Sequence, residues 1–113
     1  MITQAIRVLP IPLQTVAFGS ITGSYTAIGA AMTAPIRISK IQNSTDQDVI
    51  ISWDGINDHD AVVAGSGMVL DITTNKSLPQ GAFIGIGTIF YVKYASAPSE
   101  GNIYLSAFYA VAN

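Results

Sequence analysis

Apolar and polar positions alternate along this chain in short runs, and no helical period competes with the alternation. Ile36-Arg37-Ile38-Ser39 alternates; Val49, Ile51 and Trp53 share one face; Met68, Leu70 and Ile72 share another, with Asp71 and Thr73 opposite. Phe90, Val92 and Tyr94 alternate with Tyr91 and Lys93. A period of two is the pattern of strands with one buried face, and no longer window joins good helix formers, i, i+3, i+4 spacing and a cap. Between the runs lie Asn43-Ser44-Thr45-Asp46, Asp54-Gly55, Gly65-Ser66-Gly67, Asn75-Lys76, Pro79-Gln80-Gly81 and Ala97-Pro98-Ser99-Glu100-Gly101. Turn clusters spaced roughly every 8–12 residues predict an all-β sandwich or barrel. Seven or eight strands are expected, near 13–18, 24–28, 34–42, 48–54, 60–64, 67–74, 88–95 and 102–111.

The closing run is apolar on both faces: Ile103, Leu105, Ala107 and Tyr109 on one side, Tyr104, Ser106, Phe108 and Ala110 on the other. Such a strand is central in a sandwich or covered by a neighbouring subunit. The first twelve residues, MITQAIRVLPIP, differ, because Pro10 and Pro12 hold the backbone extended and withhold donors from an interior ladder. They are expected to form an arm (1–12) ahead of a single domain (13–113), lying on that domain or on a neighbour; a plain edge strand is the alternative. Gly81, Gly85 and Gly87 in QGAFIGIGT suggest a bend feeding the strand at Thr88. No repeat of 20–50 residues is visible, which argues against a propeller or solenoid.

Composition adds a constraint on surroundings. Half of the 113 residues are apolar and 11% are charged, against roughly 25% in an ordinary soluble domain. A lone small domain of this make-up exposes wide uncharged patches, which usually mark surfaces that other protein covers. No continuous apolar stretch reaches the length of a spanning helix: the charge-free run from Val8 to Ile36 is broken by Pro10, Pro12, Pro35 and several glycines. It lacks the compact apolar block led by basic residues that a signal peptide needs, so a bacterial cytoplasmic or phage origin is expected over secretion. Seven acidic and five basic residues give no footprint for nucleic acid or anionic lipid. The sequons Asn43-Ser44-Thr45 and Asn75-Lys76-Ser77 read as turn chemistry.

One stretch, SWDGINDHD at 52–60, gathers three aspartates beyond the chain's usual charge density with its only histidine. As a calcium loop it fails, because counting from Asp54 puts Ile56 third, His59 sixth and Gly65 twelfth. With one histidine and no cysteine, zinc and cupin-type centres lack ligands; a weak calcium site on Asp54, Asp58 and Asp60 is the residual metal candidate. No G-x-S-x-G nucleophile turn occurs, so no catalytic residue, cofactor or enzymatic activity is expected. The structural reading is a turn: Asp54-Gly55 supplies a positive-φ corner, Asn57, Asp58 and Asp60 bond nearby amides, and His59 sits exposed or bridges carboxylates. Trp53, in register with Val49 and Ile51, is expected in the core. Interface candidates are Ile2, Ile6, Val8, Leu9 and Ile11 in the arm, with Tyr25, Tyr91, Tyr104 and Phe108.

The stretch NSTDQDVIISWDGINDHDAVVAGSGMVLDITTNK, then QGAFIGIGTIFYVKY and GNIYLSAFYA, resembles small virion structural proteins of tailed bacteriophages. The shared features are Trp53-Asp54-Gly55, Asp58-His59-Asp60, Gly65-Ser66, Asp71 and the tyrosine-rich strand from Tyr104 to Tyr109, across roughly residues 34–111. The resemblance implies an antiparallel, jelly-roll-like β-sandwich in many copies on the virion, most simply a capsid decoration or cement protein. It implies the major capsid protein or other virion proteins as partners, self-association as a dimer or trimer, and no nucleic-acid or membrane partner. A head-to-tail or tail location is an alternative. A reading of another class is a carbohydrate-binding module, with aromatic rings stacking on sugars and Asp54, Asp58 or Asp60 holding hydroxyls.

Overall fold

The alternating runs pair into strands, though the bounds of run and strand do not coincide. The computed structural model describes residues 6–72 and 84–112; Ile2, the start of the arm, the turns at Asn75-Lys76 and Pro79-Gln80-Gly81, and Thr73-Thr74 lie outside the described residues. Within them stand β1 (Ile6–Pro10), β2 (Gln14–Ala17), β3 (Thr26–Ala27), β4 (Ile36–Asn43), β5 (Val49–Ser52), β6 (Asp60–Val62), β7 (Gly67–Asp71), β8 (Tyr91–Tyr94) and β9 (Asn102–Ala112). A single 3-10 turn, Phe18–Ser20, follows β2. The strand expected from Thr88 starts at Tyr91, because Gly85 to Thr88 close a turn in which the Thr88 amide donates to the Gly85 carbonyl.

β2 pairs with β9, β3 with β8, β4 with β7 and β5 with β6, all antiparallel. The chain is therefore one long hairpin whose halves run back along each other. Folding that hairpin over adds the β4–β9 and β5–β8 ladders and divides it into two sheets. The first has the order β1/β2-β9-β4-β7 and the second β3-β8-β5-β6, which is the antiparallel jelly roll. Residues 6–10 of the expected arm lie along the chain's own domain as an edge strand, Val8 opposite Ala110 and Pro10 opposite Phe108. β1 and β2 flank one break at Ile11 to Leu13, with Pro10 ending β1 and Pro12 inside the break, neither having an N–H to offer a ladder.

The core lies between the sheets. Ile103, Leu105 and Ala107 of β9 and Ile41 of β4 face Val49, Ile51, Val62 and Val92 of the second sheet, with Ile28 and Phe90 also fully buried. β9 is thus central in its sheet, and its other face, Tyr104, Ser106, Phe108 and Ala110, is half-exposed. Trp53 corrects an expectation. β5 ends at Ser52, so the register with Val49 and Ile51 is lost one residue too soon, and Trp53 is 37% exposed. Its ring leans on Phe90 at 5.6 Å between centroids, covering the rim of the core without entering it.

One buried side chain ties the layers together. Asn43, at the end of β4, is fully buried, and its Nδ2 donates to Gln47 O (2.8 Å) and to Val62 O of β6 (3.0 Å). Its Oδ1 accepts from the Thr45 amide (2.9 Å) and hydroxyl (2.6 Å), while its backbone bonds Ser66 and Gly65 ahead of β7. The sequon at Asn43 therefore presents no accessible amide. Close by, Gly101 has φ +93°, and a Cβ there would stand 2.1 Å from the Ser44 carbonyl oxygen. Across the same end, the Asp46 carboxylate accepts from the Ser99 amide and hydroxyl.

Replacing Asn43 by Ala removes the carboxamide's bonds to the Val62 carbonyl and the buried Thr45 amide, and leaves the Gln47 carbonyl with the Thr45 hydroxyl as its remaining side-chain donor. A loss of about 3 kcal/mol follows, lowering the thermal midpoint by roughly 10 °C or more. Asn43→Asp should cost more, since a carboxylate oxygen would then face the Gln47 and Val62 carbonyls. Thermal melts followed by circular dichroism check both; an unchanged midpoint for Asn43→Ala would remove its role as the tie.

Candidate functional site

The acidic stretch forms a loop that returns over the outer face of the second sheet. Asp54 is its internal scaffold: Oδ1 accepts from the amides of Ile56 (2.7 Å) and Asn57 (2.8 Å) and from the Ser52 hydroxyl (2.9 Å), and Oδ2 accepts from Asn57 Nδ2 (2.8 Å). Gly55 takes φ +75°, and its Cα rests on the Tyr91 ring so closely that a Cβ would meet ring atoms at 3.2–3.3 Å. His59 Nδ1 accepts the Trp53 amide at 3.0 Å. That bond assigns the neutral ring's proton to Nε2, which lies 3.9 Å from Asp54 Oδ2. Asp60 bonds the neighbouring Ala61 amide (2.8 Å).

Asp58 does not cap an amide. It reaches across the sheet to accept from the Tyr25 hydroxyl and to pair with Lys93 Nζ at 3.0 Å, and that ammonium sits 4.6 Å from the Tyr25 ring centroid. Partial burial, the hydrogen bond to Asp58 and the charges of Asp58 and Asp54 push the Tyr25 phenol up to about 12. The Tyr25 and Lys93 bonds hold the Asp58 carboxyl below its ordinary range, and the backbone and side-chain bonds from Asn57 do the same more strongly for Asp54. These carboxylates are occupied in holding the loop. Among the described residues, no group of three His, Cys, Asp or Glu is placed to hold a metal.

The outer face of the first sheet has a different character. Residues directly opposite in a ladder share a face, so β1 contributes Val8 and Pro10; β9 contributes Tyr104, Ser106, Phe108 and Ala110; β4 contributes Ile38, Lys40 and Gln42; and β7 contributes Gly67, Val69 and Asp71. Val8 is 43%, Leu13 58% and Val69 65% exposed. Leu13, Lys40, Gln42, Tyr104 and Ser106 line a shallow depression of about 260 Å³ on this face, to which the described strands bring Lys40 and Asp71 as ionic side chains.

The interface candidates therefore separate. Val8, Tyr104 and Phe108 meet on this outer face; Leu9, opposite Tyr109, and Ile11 turn to the core side. Tyr25 and Tyr91 lie on the second sheet, engaged by Asp58 and covered by Gly55. Ile6 opens β1, and Ile2 is outside the described residues. Sequence reasoning missed Leu13, Lys40 and Val69. The signal for Val69 was available, since it alternates with Met68 and Leu70; Leu13 carries none, because the break between β1 and β2 decides where it points. No protein-family model matches the chain, and no curated protein matches it.

The lowered carboxyls of Asp54, Asp58 and Asp46 set the acid response. Their stabilising contribution is complete above the unfolded carboxyl value of about 3.9, and it is lost as pH falls through the lower folded values. The melting temperature should hold steady down to about pH 4 and then decline, less steeply in Asp54→Asn. At the other extreme the raised Tyr25 phenol contributes below pH ~10 and ceases to as pH rises towards its folded value of about 12. Melting curves against pH for the wild type, Asp54→Asn and Tyr25→Phe measure both slopes.

Proposed function

We propose that this chain is a structural protein of a bacteriophage virion, a decoration or cement protein that sits across neighbouring copies of the major capsid protein. The observation carrying the reading is the outer face of the first sheet: Val8, Pro10, Leu13, Ile38, Val69 and Phe108 around the depression at Tyr104, with Lys40 and Asp71 as its charges among the described residues. A face so poor in charge beside a fully formed core has the make-up of a surface completed by another protein. The second sheet differs, since the chain's own loop lies over it.

Such a protein performs no chemical step; its work is binding repeated at every copy. Each contact contributes roughly 25 cal/mol per Å² of apolar area removed from water, before the costs of association. The depression offers a socket for an apolar side chain of the coat protein, and Lys40 at its wall selects a partner with a carboxylate beside that side chain. The jelly-roll frame supplies a stiff plate on which these residues keep their spacing. The carbohydrate reading has less beneath it, because the Asp54 and Asp58 oxygens it would use are held by amides, Tyr25 and Lys93.

Purified protein should co-sediment with assembled shells of its phage. Leu13→Asp and Tyr104→Ala should weaken that binding tenfold or more, the order expected for truncating a central contact. Ile56→Asp, at the exposed tip of the acidic loop, should leave it unchanged. Protein that stays in the supernatant at about 10 μM with intact particles would overturn the reading, and binding to isolated tails alone would move the protein from shell to tail.

A further inference from the structure

Three of the four sheet edges among the described residues carry devices against pairing with another strand. Pro10 and Pro12 interrupt the β1/β2 edge, and β3 has two residues only. On β6, three residues long, the carboxylates of Asp60 and Asp48 take the amides of Ala61 and Ala64. β7, Gly-Met-Val-Leu-Asp, has no proline, no lysine and no bulge in its ladder with β4.

The hydrogen-bond phase of that ladder says which groups are left over. The Ile72 amide donates to Arg37 O and the Asn43 amide to Ser66 O, each at 2.8 Å. Alternation between them directs the amides and carbonyls of Met68 and Leu70 at β4 and turns those of Val69 outward. The side chains at this edge are also incompletely covered. Met68 and Leu70 point to the core side yet are half-buried, and Val69 and Val63 are 65% and 60% exposed.

We propose that two copies of the chain join their first sheets edge to edge through β7, antiparallel about a two-fold axis at Val69. The register is self-complementary. Val69 of each copy exchanges both backbone bonds with Val69 of the other, and Met68 comes opposite Leu70, covering the half-buried pair from both sides. Asp71, which already has an interaction within its own chain, falls opposite Gly67 and not opposite its counterpart, so no like charges face each other. A second copy is favoured over an unrelated strand because the symmetric pairing satisfies the Val69 groups with residues this chain itself supplies. The inference deepens the assembly reading and rests on it only in taking the protein to act as several copies.

Light scattering and sedimentation equilibrium over a concentration series, with amide exchange at Val69, test it. The wild type should dimerise with the Val69 amide protected. Val69→Lys, at a position exposed in the single chain, should raise the dimer dissociation constant at least tenfold with an unchanged melt below the dimer concentration range, while Val69→Thr, which keeps a β-branched edge, should still dimerise. A wild type that stays monomeric to about 1 mM, or self-association that Val69→Lys leaves intact, would overturn the proposal. A wild-type monomer that still co-sediments with shells sinks this edge and leaves the docking reading standing; a β7 dimer that ignores shells does the reverse.

Discussion

Asn43 stands where the two sheets of the sandwich come closest to sharing a side chain. It belongs to β4, yet its carboxamide is spent on the carbonyls of Gln47 and Val62 and on both donors of Thr45. A buried amide with every hydrogen-bonding atom occupied has one acceptable orientation. That fixes the angle at which the chain leaves the first sheet for β5 and returns through β6. The turn into β7 hangs on the same residue through its backbone, and Gly101 has to lack a side chain because Ser44 passes against it.

The consequence is a plate with unequal sides. A hairpin nested and folded over leaves each sheet one face for the core and one for the surroundings. On the second sheet the acidic loop covers part of the outer face, held by Asp54 within and by Asp58 across to Tyr25 and Lys93. On the first sheet Val8, Leu13 and Val69 stay exposed and Tyr104 and Phe108 are half-exposed, and β9 is nearly as apolar outside as inside. Among the described residues, the two faces thus differ in cover, and β7 stands at the edge of the less covered sheet.

The acidic loop shows how chemistry-bearing residues can be absorbed by structure. Four potential ligands stand within seven positions from Asp54 to Asp60, but their atoms are directed at amides, a serine hydroxyl, a phenol and an ammonium. The histidine spends Nδ1 on a backbone N–H. The Asp54 and Asp58 carboxylates are stabilised as anions by these bonds and bring order to a loop that has little apolar anchorage of its own.

Much of this protein was legible in its residues. Alternation placed β4 to β9 because a strand's side-chain period is local and depends on nothing distant, and Asp54-Gly55 announced its turn because few residues accept a positive φ. The scarcity of charge was likewise a property of the list alone. Tertiary structure decided everything that depends on who lies opposite whom: that β2 meets β9, that residues 6–10 form an edge strand, and that Asp58 leaves its loop for Tyr25 and Lys93. Trp53 marks the boundary between the two. Its register pointed inward, but the strand ends at Ser52, and where a strand ends is set by the loop that must fold back over it.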